Sequence, residues 1–180
     1  MPSTTAGESG CRHGSKSSCD GEAVGKVETP ARAGECDSQE GNVMSGLREG
    51  IQINFPHENL RRWGCYFFAL LRWAEEIRGR GFNERDIVPL FDQARATGAI
   101  TETCFVQNPV ALLNFLAGKR VVSGIRKTNE AGAPVPSERI HVVREKHPRF
   151  GAHFRLSIDG RSWDSHPLEG RVPAGFRVLA

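Results

Sequence analysis

The chain has 180 residues, 24 Lys and Arg against 21 Asp and Glu, a formal net charge of +3, and 38% apolar residues. This length suits one domain or one domain with a tail, and the small positive charge falls short of the basic excess of nucleic-acid-binding domains. No apolar segment follows Met1, and the longest unbroken apolar run, Cys65 to Leu71, is too short to span a bilayer. We therefore expect a soluble, cytoplasmic protein with no nucleic-acid or membrane partner.

Residues 1–44 are predicted to form a disordered leader. They are rich in Ser, Gly, Thr and Glu and contain no Phe, Trp, Tyr, Leu or Ile, so they bury too little apolar surface to offset the entropy of ordering. Three cysteines and a histidine of the leader are spaced unlike the close pairs of structural zinc sites: Cys11, His13, Cys19 and Cys36. We interpret them as chance residues, and the odd total of five cysteines without a secretion signal favours free thiols.

The globular region, residues 45–180, begins with alternating apolar and polar residues from Ile51 to Pro56. This pattern predicts a short extended segment that ends at the proline. Within it, Gln52 lies 13 residues before Cys65, so its side-chain amide could loop back and donate to an oxyanion beside the thiol. The alternative is an ordinary glutamine on the outer face of a strand.

The passage from Arg62 to Trp73 is the most apolar of the chain and places Cys65 at the predicted start of a helix that runs to about Gly79. A thiol there faces unpaired backbone N–H groups and the positive end of the helix dipole, which favour thiolate over thiol. Gly64 leaves the approach to the thiol open. Cys65 is therefore a candidate nucleophile, and the alternative is a small buried side chain, as most free cysteines are.

A second helix is predicted after Asn83, which is a suitable N-cap, and it ends at Thr97-Gly98. Its apolar stripe consists of Ile87, Leu90, Phe91 and Ala94. Pro89 lies inside this pattern, so the helix is either kinked or starts later than Asn83 suggests.

A third helix is predicted from Asn108-Pro109, a cap followed by proline at the first helical position, to Gly118. Its packing residues are Val110, Leu112, Leu113, Phe115 and Leu116. Between the two helices, residues 100–106 read as an irregular or short extended segment. Cys104 in this segment is a second candidate nucleophile, but nothing places it at a helix start, and we interpret it as a core residue.

Beyond the third helix the apolar spacing becomes strand-like. Lys119–Val122 is predicted to be a short strand, residues 128–136 a Gly- and Pro-containing loop, and Ile140 and Val142 part of another strand. His141 alternates out of phase with these two residues, so we expect it to face away from the core.

Asp159-Gly160 lies between two alternating runs and predicts a two-residue β-hairpin turn. This turn sets the register of the hairpin and pairs Ile158 with Arg161, Leu156 with Trp163, and Phe154 with Ser165. On the opposite, polar face, His153 and Asp164 become diagonal neighbours within side-chain reach. A carboxylate there can hold one imidazole nitrogen and leave the other free to act as a base.

Two other interpretations of this polar face stay open. Asp164 could pair with Arg155 directly across the hairpin, leaving the face without a chemical role. Alternatively, His153, Asp164 and His166 could bind a divalent metal ion, although two strands enclose such an ion poorly. We predict no metal ion and no other cofactor.

The order of Cys65 on a helix, then His153 and Asp164 on successive antiparallel strands, resembles that of the papain-like cysteine peptidases. The passage Trp63–Leu71 looks like their nucleophile helix, and Ala152–Ser165 is similar to the ending of the bacteriocin-processing, double-glycine peptidase branch. Small uncharacterised proteins of phages and spirochaete plasmids share this layout, including a passage like residues 104–109. The resemblance spans about residues 52–164 and implies an α+β domain with N-terminal helices packed on a C-terminal antiparallel sheet.

By this resemblance, Cys65 would be the nucleophile, His153 the general base, Asp164 the residue that orients the histidine, and Gln52 the oxyanion donor. The implied activity is that of a cysteine hydrolase, a peptidase or amidase that forms an acyl-enzyme on a peptide, isopeptide or cell-wall amide substrate. The alternative is a catalytically inactive papain-like binding or regulatory module of phage or plasmid origin. Tyr66 departs from the family pattern, in which small residues often follow the cysteine, and so does Ser165, which replaces a common proline.

Overall fold

The computed structural model describes residues 46–149 and 151–180. The predicted leader and its zinc-ligand candidates lie outside the described residues. The described part contains helices followed by a five-stranded antiparallel sheet, which confirms the predicted α+β class.

The helical half consists of short helices connected by turns. These are α1 (Glu58–Trp63), α2 (Cys65–Arg78), a 3-10 turn (Glu84–Asp86), α3 (Ile87–Ala96) and α4 (Pro109–Ala117). The strands are β1 (Ile125–Thr128), β2 (Ile140–His147), β3 (Gly151–Ile158), β4 (Arg161–Trp163) and β5 (Val172–Leu179). None of the helices in the described part combines the length and the apolar character that a bilayer crossing requires.

The strands follow the order β1-β5-β2-β3-β4 across the sheet, and all neighbours are antiparallel. The last strand, β5, therefore returns to lie between β1 and β2. Its pairing with β2 shifts register between Arg144 and Glu145, because Ala174 of β5 has no partner on β2, whereas the pairing of β2 with β3 is continuous.

Helix α2 is the centre of the core and packs against α4 and β3. It begins at Cys65 and ends at Gly79 in the left-handed conformation, as predicted. The helix buries more side chains than the predicted apolar stripe, because the side chains from Phe67 to Leu71 are all fully buried. Glu75 is buried as well, and its carboxylate accepts hydrogen bonds from the N–H groups of Leu47 and Phe82.

The two further predicted helices are present with the predicted caps. The Asn83 side chain accepts from Arg85 N–H in the 3-10 turn, so α3 starts later, at Ile87, and Pro89 lies in its first turn, where proline is tolerated. Asn108 accepts from Ala111 N–H at the start of α4. Cys104 is a core residue with 4% exposure, as predicted.

Two predicted extended segments are wrong. Residues 51–54 form turns, and residues 119–122 are not a strand. The Asn114 side chain holds the second segment by accepting from Val121 and Val122 N–H, so hydrogen bonds to a side chain replace a strand ladder. His141 was expected to face away from the core. It does not point into the helical core, but it is buried against the Phe176 ring, with 5% exposure.

Candidate active site

The β3–β4 hairpin has the predicted register, with Leu156 opposite Trp163 and Ile158 opposite Arg161. Both turn residues, Asp159 and Gly160, have positive φ, as a two-residue hairpin turn of this kind requires. Strand β4 nevertheless ends at Trp163, so the residues that follow leave the ladder.

Because the ladder stops there, the predicted pairing of Phe154 with Ser165 does not form, and Asp164 does not lie across from Arg155. The Arg155 guanidinium instead forms an ion pair of 2.7 Å with the Glu145 carboxylate on β2. Asp164 is thereby left to contact His153.

His153 and Asp164 are in direct contact, with 2.8 Å between Nε2 of the imidazole and Oδ1 of the carboxylate. Both side chains are buried. The same Oδ1 accepts from the backbone N–H of His166, and Oδ2 forms an ion pair of 2.7 Å with Nη2 of Arg171. Partners on both oxygens fix the carboxylate, and the carboxylate in turn fixes the imidazole ring.

Cys65 and His153 line the same cleft, and Cys65 lies close enough to the His153 ring to raise the pKa of the imidazole. Since Asp164 occupies Nε2, Nδ1 is the nitrogen that remains for the thiol. Cys65 is partly exposed, whereas the other described cysteine, Cys104, is buried. Burial raises the pKa of Cys104 to about 12, so this thiol is a poor nucleophile.

The surroundings of His153 favour its protonated form. Burial alone would lower the pKa of the imidazole, but hydrogen bonds to Asp164 and Cys65, together with the charges of both groups, raise it to about 9. Burial alone would raise the pKa of Asp164, but the hydrogen bond to His153, the imidazolium charge and then Arg171 lower it. The site thus favours an imidazolium between two acidic groups.

The start of α2 also supplies backbone donors to the site. Helix α1 ends at Trp63, the chain turns at Gly64, and α2 starts at Cys65. Among the described residues, no backbone carbonyl accepts from the Cys65 N–H. A Cβ at Gly64 would lie 2.4 Å from the Leu60 carbonyl oxygen, so only glycine allows this turn.

Gln52 is almost fully buried, with 1% exposure, and lines the same open cleft of about 1360 Å³ as Cys65 and His153. Its Nε2 donates to the Arg61 carbonyl at 3.0 Å, and its Oε1 accepts from the Ser165 hydroxyl at 2.8 Å. A side-chain amide carries two N–H donors, and the bond to Arg61 uses one.

Tyr66 does not close the cleft, although it is bulky. Its ring stacks on Phe154 of β3, with 4.3 Å between the ring centroids. Burial raises the pKa of Tyr66 to about 12, opposed by the charge of Arg177. The Tyr66 hydroxyl is buried and finds no hydrogen-bond partner among the described residues.

The sequence analysis missed Glu145 and Arg171, which complete the site. Besides Asp164, Arg171 faces Glu145, with 3.0 Å between Nη1 and Oε2, although neither atom forms a well-aligned hydrogen bond. No sequence signal marks either residue, because Arg171 lies in a loop and Glu145 becomes a neighbour of His153 only through the β2–β3 pairing.

Glu145, His153 and Asp164 offer ligand atoms within 4.8 Å of one another, a different set from the predicted one with His166. These residues do not fit a resident metal ion. Arg155 and Arg171 already neutralise the Glu145 carboxylate, and Arg171 also neutralises Asp164. A further cation would have to displace these guanidinium groups.

No curated protein and no solved structure matches the chain. One family model, described as "Protein of unknown function, DUF261", matches residues 52–158, more than half of the 180 residues. The matched range starts at Gln52, includes Cys65 and His153, and stops before Asp164. The chain belongs to the DUF261 family.

Proposed function

We propose that the protein is a cysteine hydrolase of papain-like type that cleaves a peptide or other amide bond through Cys65. The observation that carries this proposal is that Cys65 and His153 line one open cleft and that Asp164 holds Nε2 of the His153 ring at 2.8 Å. The helix-first chain order supports it, and so does the use of Nε2 for the acid, which leaves Nδ1 for the thiol. The chemistry then follows from the positions of the groups.

In the acylation step, the Cys65 thiolate, whose proton is held by the His153 imidazolium, attacks the substrate carbonyl carbon and forms a C–S bond. Negative charge develops on the carbonyl oxygen, for which the Cys65 N–H and the second Nε2 proton of Gln52 are suitable donors. The imidazolium then protonates the leaving nitrogen, the C–N bond breaks, and the amine departs. A thioester remains on Cys65.

In the deacylation step, His153 is neutral again and removes a proton from a water molecule that attacks the thioester carbon. The C–S bond breaks, the acid product leaves, and the Cys65 thiolate and the His153 imidazolium are restored. Asp164 holds the ring in one orientation in both steps and stabilises its charged form. Water is consumed once in each cycle, and no other reactant is needed.

The test uses a variant in which the leader cysteines Cys11, Cys19 and Cys36 are replaced by Ser, so that only Cys65 and Cys104 remain. We expect iodoacetamide to alkylate Cys65 selectively, as read by peptide mapping. We also expect p-nitrophenyl acetate to give a burst of one equivalent of p-nitrophenolate followed by steady turnover. Cys104→Ala is the matched control and should retain both properties.

Cys65→Ala should lose labelling and burst, and His153→Gln should slow acylation by about a hundredfold or more, in line with the loss of a general base. An unaltered burst in Cys65→Ala would contradict the proposal. Acetylation without turnover, combined with no cleavage in a pool of peptides of mixed sequence, would instead identify an inactive papain-like binding module.

A further inference from the structure

The cleft beside Cys65 is positively charged. Its cationic lining residues are Arg61, Arg62, Lys127, Arg144, Arg149 and Arg177, and among the described residues no Asp or Glu side chain lines it. A second cavity, next to the β2–β3 part of the sheet, mixes both signs and includes Glu130, Glu138, Asp159, Arg139 and Arg155. The second cavity therefore does not share the one-sided positive charge of the cleft.

Arg177 is the buried cation of this cleft, with 7% exposure. Its guanidinium donates to three neutral oxygens, the carbonyls of Thr128 and Phe176 and Oδ1 of Asn129, at 2.7–2.9 Å. Within residues 46–149 and 151–180, no carboxylate forms an ion pair with it. Because buried charges are normally paired, Arg177 lacks the counter-ion that such a position calls for.

Arg144 adds a second positive charge close to Arg177. Burial lowers the pKa of Arg177, the nearby Tyr66 raises it, and the like charge of Arg144 lowers it further. Arg144 itself donates to the Ala174 carbonyl at 3.3 Å and, in the part of the chain that the structure describes, also has no carboxylate partner. An anion bound between the two guanidinium groups would relieve their mutual repulsion.

This pair of arginines lines the same cleft as Cys65 and His153. The Arg177 guanidinium carbon is 6.0 Å from the centroid of the Phe154 ring, which follows His153 on β3 and stacks on Tyr66, the residue after Cys65. A peptide bound along this cleft with a carbonyl at Cys65 also runs past the arginines.

We propose that the cleft selects a peptide with an Asp or Glu side chain next to the amide that Cys65 attacks, and that Arg177 and Arg144 bind this carboxylate. The inference rests on the proposed hydrolase function. A peptide is favoured over a nucleic acid because thiol–imidazole chemistry acts on acyl carbon. In addition, Tyr66 covers one face of Phe154, the ring nearest the arginines, and thereby limits base stacking there.

The experiment uses three acetylated tripeptidyl vinyl sulfones that carry Glu, Gln or Lys at all three positions. Second-order rate constants for labelling of Cys65 are measured by intact mass in the protein without leader cysteines. We expect the Glu probe to react about tenfold faster than the isosteric Gln probe and the Lys probe to react slowest. The Glu preference should shrink as salt is raised from about 0.02 to about 0.5 M.

Arg144→Gln is the informative variant. Arg177 is less suitable for replacement, because its hydrogen bond to the Thr128 carbonyl also joins β5 to β1. Arg144→Gln should reduce the Glu-to-Gln rate ratio about threefold or more. Arg85→Gln, which removes the same charge from the 3-10 turn outside the cleft, is the matched control and should keep the ratio.

Equal labelling of Cys65 by the Glu and Gln probes would overturn the inference and leave the hydrolase proposal intact. Failure of every probe to label Cys65 would remove the hydrolase proposal and the inference with it. Fluorescence anisotropy with a single-stranded oligonucleotide covers the nucleic-acid alternative. Binding that Arg144→Gln abolishes, without a Glu preference among the probes, would assign the arginines to phosphate and overturn the peptide assignment.

Discussion

Gln52 donates through Nε2 to the backbone carbonyl of Arg61, the residue four positions before Cys65. In a continuous α-helix this carbonyl would accept from the Cys65 N–H. The Gln52 side chain donates to the carbonyl oxygen that the Cys65 N–H would otherwise use. The Gln52 amide therefore lies next to the Cys65 N–H, which is left without this acceptor. One hydrogen bond thus links the break between α1 and α2 to the two expected oxyanion donors.

Replacing Gln52 by Ala should lower kcat for a cleaved substrate by about a hundredfold, because a donor to the oxyanion is lost, with a smaller effect on KM. Ser165→Ala is the control. It removes the hydroxyl that bonds Oε1 of the glutamine but leaves Nε2 in place, so it should destabilise the fold by about 1 kcal/mol and retain most of kcat. Equal losses of kcat in both variants would indicate a structural role for Gln52.

The stability of the protein should fall as pH rises from about 6.5 to about 9. His153 has a pKa of about 9 in the folded protein and about 6.5 when unfolded, so the folded state holds a proton that the unfolded state loses. The stabilisation is complete below pH 6.5 and is lost as the pH rises to about 9. Urea unfolding at several pH values measures it.

His153→Gln should flatten this slope, because glutamine does not titrate. On the acid side, the lowered pKa of Asp164 predicts the opposite trend, with stability present above its ordinary pKa and lost as pH falls. A wild-type protein whose stability is constant between pH 6.5 and 9 would contradict the contacts assigned to the imidazole.

Replacing Arg171 by Met should lower the free energy of unfolding by about 3 kcal/mol, because two buried carboxylates, Glu145 and Asp164, lose a counter-charge. The remaining activity should have its acid limb shifted to higher pH, since Arg171 helps to lower the pKa of Asp164. Arg161→Met, at an exposed position on β4, is the matched control. An unchanged acid limb in Arg171→Met would show that the arginine only supports folding.

Tyr66→Phe should raise the free energy of unfolding by about 1 kcal/mol. The tyrosine hydroxyl is buried without a hydrogen-bond partner among the described residues, whereas phenylalanine keeps the stack on Phe154 and has no polar atom to satisfy. Chemical denaturation of the two proteins at one pH tests this. A clear loss of stability would mean that the hydroxyl has a partner, such as a bound water molecule.

Local signals predicted the helical half well. Asn83, Asn108, Gly79 and Gly118 act through hydrogen bonds and backbone conformations confined to a few residues, which a sequence displays directly. The Asp159-Gly160 turn likewise fixed the hairpin register. The contact between His153 and Asp164 followed from that turn, although β4 ends at Trp163, one residue before Asp164.

Contacts between residues that are far apart in the chain could not be predicted from the sequence. Strand β5 lies between β1 and β2, and no local pattern announces where a final strand enters a sheet. The turns around Gln52 were predicted to be a strand, because an alternation of apolar and polar residues can also arise from side chains buried within a turn. Arg171 and Glu145 meet only in three dimensions, so their ion pair required the fold.

Hydrogen bonds join the segment before α1 to the end of the β3–β4 hairpin. Gly50 N–H donates to the Asp164 carbonyl, Gln52 N–H to the Ser165 carbonyl, and the Trp163 indole to the Leu47 carbonyl. A fragment trimmed to the family-matched residues 52–158 would keep Cys65 and His153 but lose Asp164 and the residues that hold it in place. A shortened version of the protein should therefore keep both flanks, because the contact of His153 with Asp164 depends on hydrogen bonds between distant parts of the chain.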